Sequence, residues 1–395
     1  MQWEVLTAKN GMPTVQLNNV LLYSRYRPQE DALRWVEAEF DESKTSYLLI
    51  GLGLGYHAEH LAKIADGKQV FVYCFEQQEF DLYRQYNLIS SGFEIVHDLQ
   101  GKLMDENVQI LIPNQLLKAI GIEHPIFSYL EVIKINQVTY KKFSGLMEHN
   151  FKENLYFWTK KTSYPDYTKK VACLVASGPS LNTTIHWLKK VQEQVEIFAV
   201  GSSLKLLLAN EIIPDAVIIS DAKNSIIQQL DGTNYNGSLY FLSTANEKAI
   251  KKHSGPAYLL LQQGYPPAQL VAQKYELPLL ETGGSVSTIA LSLLDYLGFE
   301  KIILFGQDLG FHGNETHAKH STSGRIIQHD LNLRIALAND SSKIYTTPNL
   351  QTYARWIEHK VGRMSAQIYT TSVRGIYIPK VPYIDENQLL QYIQS

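Results

Sequence analysis

The residues best suited to chemistry stand where apolar runs end. Val171–Val175 leads into Ala176-Ser177-Gly178-Pro179-Ser180-Leu181, and helical spacing follows through Ile185, Trp187 and Leu188. A short apolar run closed by such a turn predicts a buried strand, a tight turn and a helix start. Gly178 lets backbone approach a ligand closely, and Pro179 suits the first helical position, where its missing N–H is not needed. Ser177 and Ser180 place hydroxyls beside the free N–H groups of a first helical turn, which together make an anion site. An ordinary serine-capped turn would use the same residues, so the weight falls on what recurs downstream.

The pattern does recur. Val195–Val200 runs into Gly201-Ser202-Ser203, Ala216–Ile219 into Ser220-Asp221, and Leu239–Leu242 into Ser243-Thr244. Thr282-Gly283-Gly284-Ser285 opens a helix over Ile289–Leu297, and Lys301–Phe305 ends in Gly306-Gln307-Asp308. Repeated strand–helix units whose strands finish in small or polar residues predict a parallel α/β sheet, with ligands beyond the carboxyl ends of its strands. Ser177, Gly178, Ser202, Ser203, Asp221, Ser285 and Asp308 are therefore expected to converge on one crevice. Two glycine/serine turns there would take two phosphate oxygens, or a phosphate and a ribose. The aspartates would accept sugar hydroxyls or hold a metal. Beyond Asp308 a polar loop carries His312, His317 and His320. Their irregular spacing and the lack of a neighbouring cysteine favour a general base over a metal site; solvated loop histidines would account for His312 and His320. No glycine-rich loop with a following Lys-Ser/Thr occurs, and no Gly-x-Ser-x-Gly elbow, which disfavours a P-loop kinase and a hydrolase triad.

Upstream, residues 1–45 read as a small β-rich opening, with strands at Thr14–Leu17 and Val20–Tyr23 and a helix over Pro28–Phe40. Tyr47–Ile50 then meets Gly51-Leu52-Gly53-Leu54-Gly55-Tyr56-His57, a helix follows through Leu61 and Ile64, and the strand Val70–Phe75 ends at Glu76. A strand, a glycine-rich turn, a helix and an acid at the next strand's end make the layout of a Rossmann-like nucleotide site. The tight glycine spacing is closer to that of S-adenosylmethionine methyltransferases, and a turn that keeps its glycines for geometry alone fits equally well. Glu94–Val96 and Val108–Ile112 extend the same sheet. Tyr129–Phe157 reads as mostly helical, with Phe143, Phe151, Tyr156, Phe157 and Trp158 as packing aromatics. The resulting division is 1–125, a Rossmann-like domain; 126–168, a helical connection; 169–330, a larger Rossmann-like α/β domain; and 331–395, a mainly helical segment. That last segment holds helices at Asp330–Ala338 and Leu350–Val361, and a late strand or loop around Tyr369 and Ile376. One of Lys360, Arg363 and Arg374 is a candidate partner for a substrate carboxylate.

Composition narrows the function further. The 395 residues are 45% hydrophobic and 19% charged, with a net charge of −3, which gives no support for nucleic-acid binding. The two cysteines, Cys74 and Cys173, lie inside apolar runs, as expected in a reducing compartment without structural zinc. No run approaches the roughly 20 apolar residues of a membrane span, and the first residues lack a secretion signal. A cytoplasmic protein is expected.

Several of these stretches together resemble a known family. Ala176-Ser177-Gly178-Pro179-Ser180-Leu181, Gln307-Asp308-Leu309 leading to Thr316-His317-Ala318, Gly51–His57, Thr347-Pro348-Asn349 and Tyr353–Trp356 look like the motility-associated factor (Maf) glycosyltransferases. The central domain is similar to 6-hydroxymethylpterin pyrophosphokinases (MptE-like) and, more distantly, to bacterial CMP-sialic-acid sialyltransferases. The resemblance implies a sialyltransferase-like fold and inverting transfer of pseudaminic or legionaminic acid from a CMP donor to Ser or Thr of flagellin. It implies that Ser177, Gly178, Pro179, Ser180, Ser202, Ser203, Asp221, Thr282, Gly283, Gly284, Ser285, Gly306 and Gln307 hold the donor. His317 would serve as base beside Asp308, with no metal or cofactor. The pyrophosphokinase likeness implies an alternative, in which Asp221 and Asp308 hold Mg²⁺ between ATP phosphates. A non-catalytic flagellin-binding protein is a third.

Overall fold

Apolar runs of four or five residues become buried parallel strands throughout the chain. The structure is a computed structural model, and it describes residues 1–86, 92–99, 107–157, 164–311, 315–323 and 333–394. His312, Trp158 and residues 330–332 of the expected late helix lie outside these. The chain divides into two units, Met1–Ile135 and Asn136–Ser395.

In the first unit β1 (Trp3–Thr7), β2 (Pro13–Leu17) and β3 (Val20–Leu21) form an antiparallel sheet. After α1 (Pro28–Glu39) come β4 (Ser46–Ile50), α2 (Tyr56–Ile64), β5 (Gln69–Tyr73), α3 (Gln77–Tyr86), β6 (Glu94–Val96), β7 (Val108–Leu111) and α4 (Leu116–Ile120). The four later strands make a parallel sheet in the order β6-β5-β4-β7, as the Rossmann-like pattern predicted. α5 (Phe127–Phe157) runs from the first unit into the second.

The second unit alternates strand and helix: β8 (Val171–Val175), α6 (Leu181–Val191), β9 (Glu196–Val200), α7 (Leu204–Ala209), β10 (Ala216–Ile219), α8 (Ile227–Leu230) and β11 (Ser238–Leu242). It continues through α9 (Glu247–Lys252), β12 (Ala257–Gln262), α10 (Pro266–Tyr275), β13 (Leu279–Leu280), α11 (Val286–Tyr296) and β14 (Lys301–Phe305). β15 (Arg334–Leu337), β16 (Lys343–Thr346), α12 (Pro348–Val361), β17 (Gln367–Thr370) and α13 (Glu386–Gln394) follow. Eight strands form one parallel sheet in the order β13-β12-β11-β10-β9-β8-β14-β17. Residues of β8 to β11, β14 and the helices flanking them share one core. Each apolar side chain buried there contributes about 1.5–3 kcal/mol relative to exposure.

The chain steps outward from β8 to β13. α11 then carries it back over β10, β9 and β8, and β14 pairs on the other side of β8. The order thus reverses between β8 and β14, the place where ligands bind in open α/β sheets.

Three local expectations are corrected. α6 starts at Leu181, and Pro179 sits in a lead-in turn where Leu181 N bonds to Gly178 O and Asn182 N to Pro179 O. The helix expected at Asp330–Ala338 is, in its described part, β15, whose Ile335 and Leu337 alternate with half-buried neighbours at period two. The final segment is not mainly helical either, since β17 joins the main sheet beside β14. As an edge strand it buries only Ile368 and Thr370, which left a weak apolar signal.

Candidate functional site at the sheet's switch point

The carboxyl ends of β8, β9, β14 and β17 meet through short polar contacts. Ala176 N donates to Phe305 O and Gly178 N to Gly306 O (2.8 and 2.7 Å), joining the β8 and β14 turns. Ser177 Oγ lies 2.8 Å from Ser202 Oγ, joining β8 to β9. Asp308 Oδ2 accepts from Ser180 N (3.1 Å) and Ser180 Oγ (2.9 Å), while Ser180 Oγ lies 2.7 Å from Ser372 Oγ, which follows β17. Ser372 was not singled out from sequence, because the strand that delivers it was read only as a late strand or loop.

The helix-start anion site predicted at Ser177–Ser180 therefore already holds an anion, the chain's own Asp308. Burial pushes this carboxyl up to about 6, against the lowering effect of its bonds from Ser180 and Ser372. Gly178 has a matching structural reason: a Cβ there would collide with Asp308 Oδ2 and the Gly306 carbonyl oxygen. Gly306 itself sits at φ +61°, the left-handed region, and a Cβ on it would press on Ala176 O. Ser203, expected to face the donor, is fully buried and spends its hydroxyl on Val175 O and Val200 O (2.9 and 2.8 Å), locking β8 to β9. Gln307 is buried, and its Oε1 has no hydrogen-bond partner among the described residues.

The strap 315–323 lies across these strand ends. Ala318 N donates to Ser177 O (2.8 Å), Lys319 N to Asn182 Oδ1 (3.0 Å) and Thr322 N to Ser202 O (3.3 Å). His317, half-buried, thus stands one residue from the Ser177 anchor, with its Nδ1 2.8 Å from Thr316 Oγ1. His320 is exposed.

The other predicted residues gather elsewhere. Asp221 is half-exposed, accepts from Lys223 N (3.0 Å) and pairs with Lys223 Nζ at 3.8 Å. It helps to push up the half-buried Tyr353 phenol, for which desolvation is the larger cause. The Tyr353 ring is 3.6 Å from where a Cβ of Gly284 would lie, and a Cβ on Gly283 would overlap Trp356. The Thr282–Ser285 turn is largely closed on itself. Gly283 N and Ser285 N donate to Thr288 Oγ1, Gly284 N to Thr282 Oγ1, and Ser285 Oγ caps Thr288 N. Asp221 follows β10 and Asp308 follows β14, three strand positions apart or about 14 Å. Among the described residues no cluster of three metal-binding side chains occurs. Lys360, Arg363 and Arg374 are taken by Asp295, Glu281 and Asp340 at 2.7, 2.8 and 3.7 Å.

α5 closes the neighbouring strand ends. Asn150 Nδ2 donates to Ala222 O and Thr244 O, and Asn154 Nδ2 to Ser243 O and Ala245 O, at 2.8 to 3.2 Å. These carbonyls follow β10 and β11, so α5 covers the carboxyl edge there while the strap crosses it at β8 and β9.

The first unit's glycine turn is filled by its own side chains. Glu79 Oε1 accepts from Leu52 N and Gly53 N, both at 2.8 Å, and its Oε2 from Phe75 N at 2.7 Å. Leu54 N donates to Tyr23 Oη (3.1 Å), Gly51 N to Tyr73 O and Gly55 N to Leu52 O. Glu76, the expected ribose acid, accepts from Trp3 Nε1 at 2.6 Å. Every N–H from Gly51 to Gly55 has an internal partner.

Residues 148–314 match the family of 6-hydroxymethylpterin diphosphokinase MptE-like proteins. Among solved structures, the Maf glycosyltransferase from Magnetospirillum magneticum AMB-1 matches with a TM-score of 0.51 and 15% identity, over 98% of this chain and 71% of that one. A hydrogen sulfide-producing enzyme from Fusobacterium nucleatum aligns at 14% identity over 77% of this chain and 93% of that one, with a TM-score of 0.15 that carries no argument. No curated protein sequence matches. The chain therefore has the fold of a Maf glycosyltransferase, with an MptE-like domain at its centre.

Proposed function

We propose that the protein is a glycosyltransferase that moves a nonulosonic acid, pseudaminic or legionaminic acid, from a CMP donor to Ser or Thr hydroxyls of flagellin, in the cytoplasm. The observation that carries the reading is the cluster of polar strand ends at the switch point with a histidine strap anchored on its first turn, in a fold shared with a Maf glycosyltransferase. The acceptor oxygen attacks the anomeric carbon and the bond to the phosphate oxygen breaks. CMP leaves with the bonding pair, the configuration inverts, and the acceptor proton passes to His317. Because Asp308 occupies the Ser180 N–H, stabilisation of the leaving phosphate falls to the hydroxyls of Ser177 and Ser202.

The MptE-like match favours a second reading, an Mg²⁺-dependent pyrophosphokinase. Against it stands the separation of Asp221 from Asp308, since a single Mg²⁺ binds its ligands at about 2 Å. Calorimetric titration with CMP and with ATP, each with and without Mg²⁺, tests both. CMP binding indifferent to Mg²⁺ and lost in Ser177→Trp supports sugar transfer. Mg²⁺-dependent ATP binding supports the pyrophosphokinase, and silence throughout leaves a non-catalytic flagellin-binding protein.

A further inference from the structure

The hairpin β15–β16 leaves one edge and one face uncovered. Ala338 N bonds to Ser342 O (2.8 Å) and Ser341 N to Ala338 O (3.0 Å), which makes Ala336–Ile344 and Arg334–Thr346 the hydrogen-bonded pairs of the ladder. The backbone groups of Ile335 and Leu337 therefore point to the outer edge. There Leu337 O accepts from Tyr377 N (2.8 Å), while the Ile335 N–H, the Ile335 carbonyl and the Leu337 N–H have no hydrogen-bond partner among the described residues. Ile335, Leu337, Tyr345 and Tyr377 are large apolar side chains left exposed around this edge. A cavity of about 220 Å³ opens beside it, between β15, α12 and residues 376–378, with Ala336, Leu337, Ala354, Arg355, Glu358 and Tyr377 in its lining.

An open row of N–H, C=O and N–H at strand spacing is completed by an extended polypeptide backbone adding as a further strand. Charge narrows the choice. β15 and β16 carry Arg334 and Lys343 and no carboxylate, and Lys343 is exposed with no ion-pair partner among the described residues. A second β15 would add cation to cation, whereas an acidic segment complements both. The edge is also continuous with the proposed site. Tyr345 exchanges both backbone bonds with Phe311 (2.9 and 3.2 Å), Thr346 Oγ1 donates to Leu309 O, and Ile376 N donates to Asp308 O, the last two at 2.8 Å. An added strand would lie three strand spacings, roughly 14 Å, from Phe311, a gap that about four or five extended residues cross. We propose that β15 receives, by strand addition, an extended acidic segment of the acceptor polypeptide. The proposal rests on the glycosyltransferase reading only for the identity of that polypeptide.

Ile335→Pro removes the edge N–H, a change that edge strands tolerate because that group takes no part in the ladder. Lys343→Glu reverses an exposed charge. The probe is a fluorescein-labelled peptide, Val-Thr-Val-Glu-Val-Ser-Val, with two controls, one carrying Lys for Glu and one N-methylated throughout. Fluorescence anisotropy with the full chain should show the glutamate peptide binding, and the N-methylated form at least about tenfold more weakly, since its backbone cannot donate. Ile335→Pro should lower the affinity about tenfold and Lys343→Glu about threefold, with the preference of Lys343→Glu turned to the lysine peptide. CMP affinity should be unchanged in both variants. In transfer to flagellin, both should raise KM for the acceptor while kcat holds. If the peptide binds as expected but the protein takes no CMP and passes no sugar to flagellin, the docking edge stands and the sugar-transfer reading fails. If CMP binds and both variants transfer with the native acceptor KM, that reading stands and the docking edge is overturned. A wild type that binds none of the three peptides overturns it as well. So does light scattering that shows a dimer which Ile335→Pro makes monomeric, because the edge then belongs to a second copy.

Discussion

Asp308 carries the sharpest electrostatic consequence at the scale of single residues. Its folded pKa of about 6 lies above the ordinary 3.8, so in that interval the folded protein holds a proton that the unfolded chain has released. The stabilisation this gives is complete below about pH 4 and is lost as pH rises through about 6, beyond which the buried charge costs about 3 kcal/mol. Asp308→Asn does not titrate. Urea unfolding at a series of pH values should show the variant gaining on the wild type by up to about 3 kcal/mol between about pH 4 and pH 7. A difference that does not move with pH would mean the carboxyl titrates normally. His317 is the complementary case, placed by its backbone at the Ser177 anchor. His317→Ala is expected to lower transfer about 10²–10⁴-fold while CMP affinity changes little; native turnover would remove it from the mechanism. Sequence pointed to both residues by position, at a strand end and in the loop beyond it. It brought Asp308 to the Ser177-Gly178 turn but did not show that the carboxylate would take the Ser180 N–H and hydroxyl for itself.

Elements show the same limit in a stronger form. The run from Gly51 to Gly55, its helix and Glu76 reproduce a nucleotide-binding layout in sequence, and the strands and helix are all present. What closes the turn is Glu79, three residues into α3, a position where sequence suggests only a favourable charge at a helix start. Its single carboxylate satisfies three backbone donors while wholly buried, and that burial holds its pKa up. Glu79→Gln turns one acceptor into a donor facing Phe75 N–H. We expect a loss of about 2–3 kcal/mol in denaturant unfolding of the full chain. A loss below about 0.5 kcal/mol would show that the turn does not depend on this plug. β8, β9, β10 and β14 were legible because each is a continuous apolar run buried on both faces. β15 was not, and β17 only as a strand or loop around Tyr369, since an exposed hairpin strand and an edge strand need little apolar sequence.

For the molecule as a whole, what could be read was the succession of strands and the chemistry at their ends; what could not was the order in which strands lie side by side. That order decides the site. Because α11 returns the chain to β14 beside β8, Ser177, Ser202, Gln307 and Asp308 become neighbours, while Asp221, Gly283 and Gly284 collect around Tyr353 and Trp356. Of the two regions with nucleotide-like sequence patterns, the first unit's turn has every N–H from Gly51 to Gly55 already bonded within the protein, so the proposed nucleotide site is the switch point alone. The measurable consequence is stoichiometry. Titration of the full chain with CMP should saturate at about one nucleotide per chain, and S-adenosylmethionine should give no heat under the same conditions. Ser177→Trp should abolish the single CMP site, whereas a bulky change on the first unit's turn, Leu54→Trp, should lower stability without removing CMP binding. Two CMP sites per chain, or S-adenosylmethionine binding lost in Leu54→Trp, would mean that Glu79 and Tyr23 yield the glycine turn to a ligand, and that the first unit has a nucleotide site of its own.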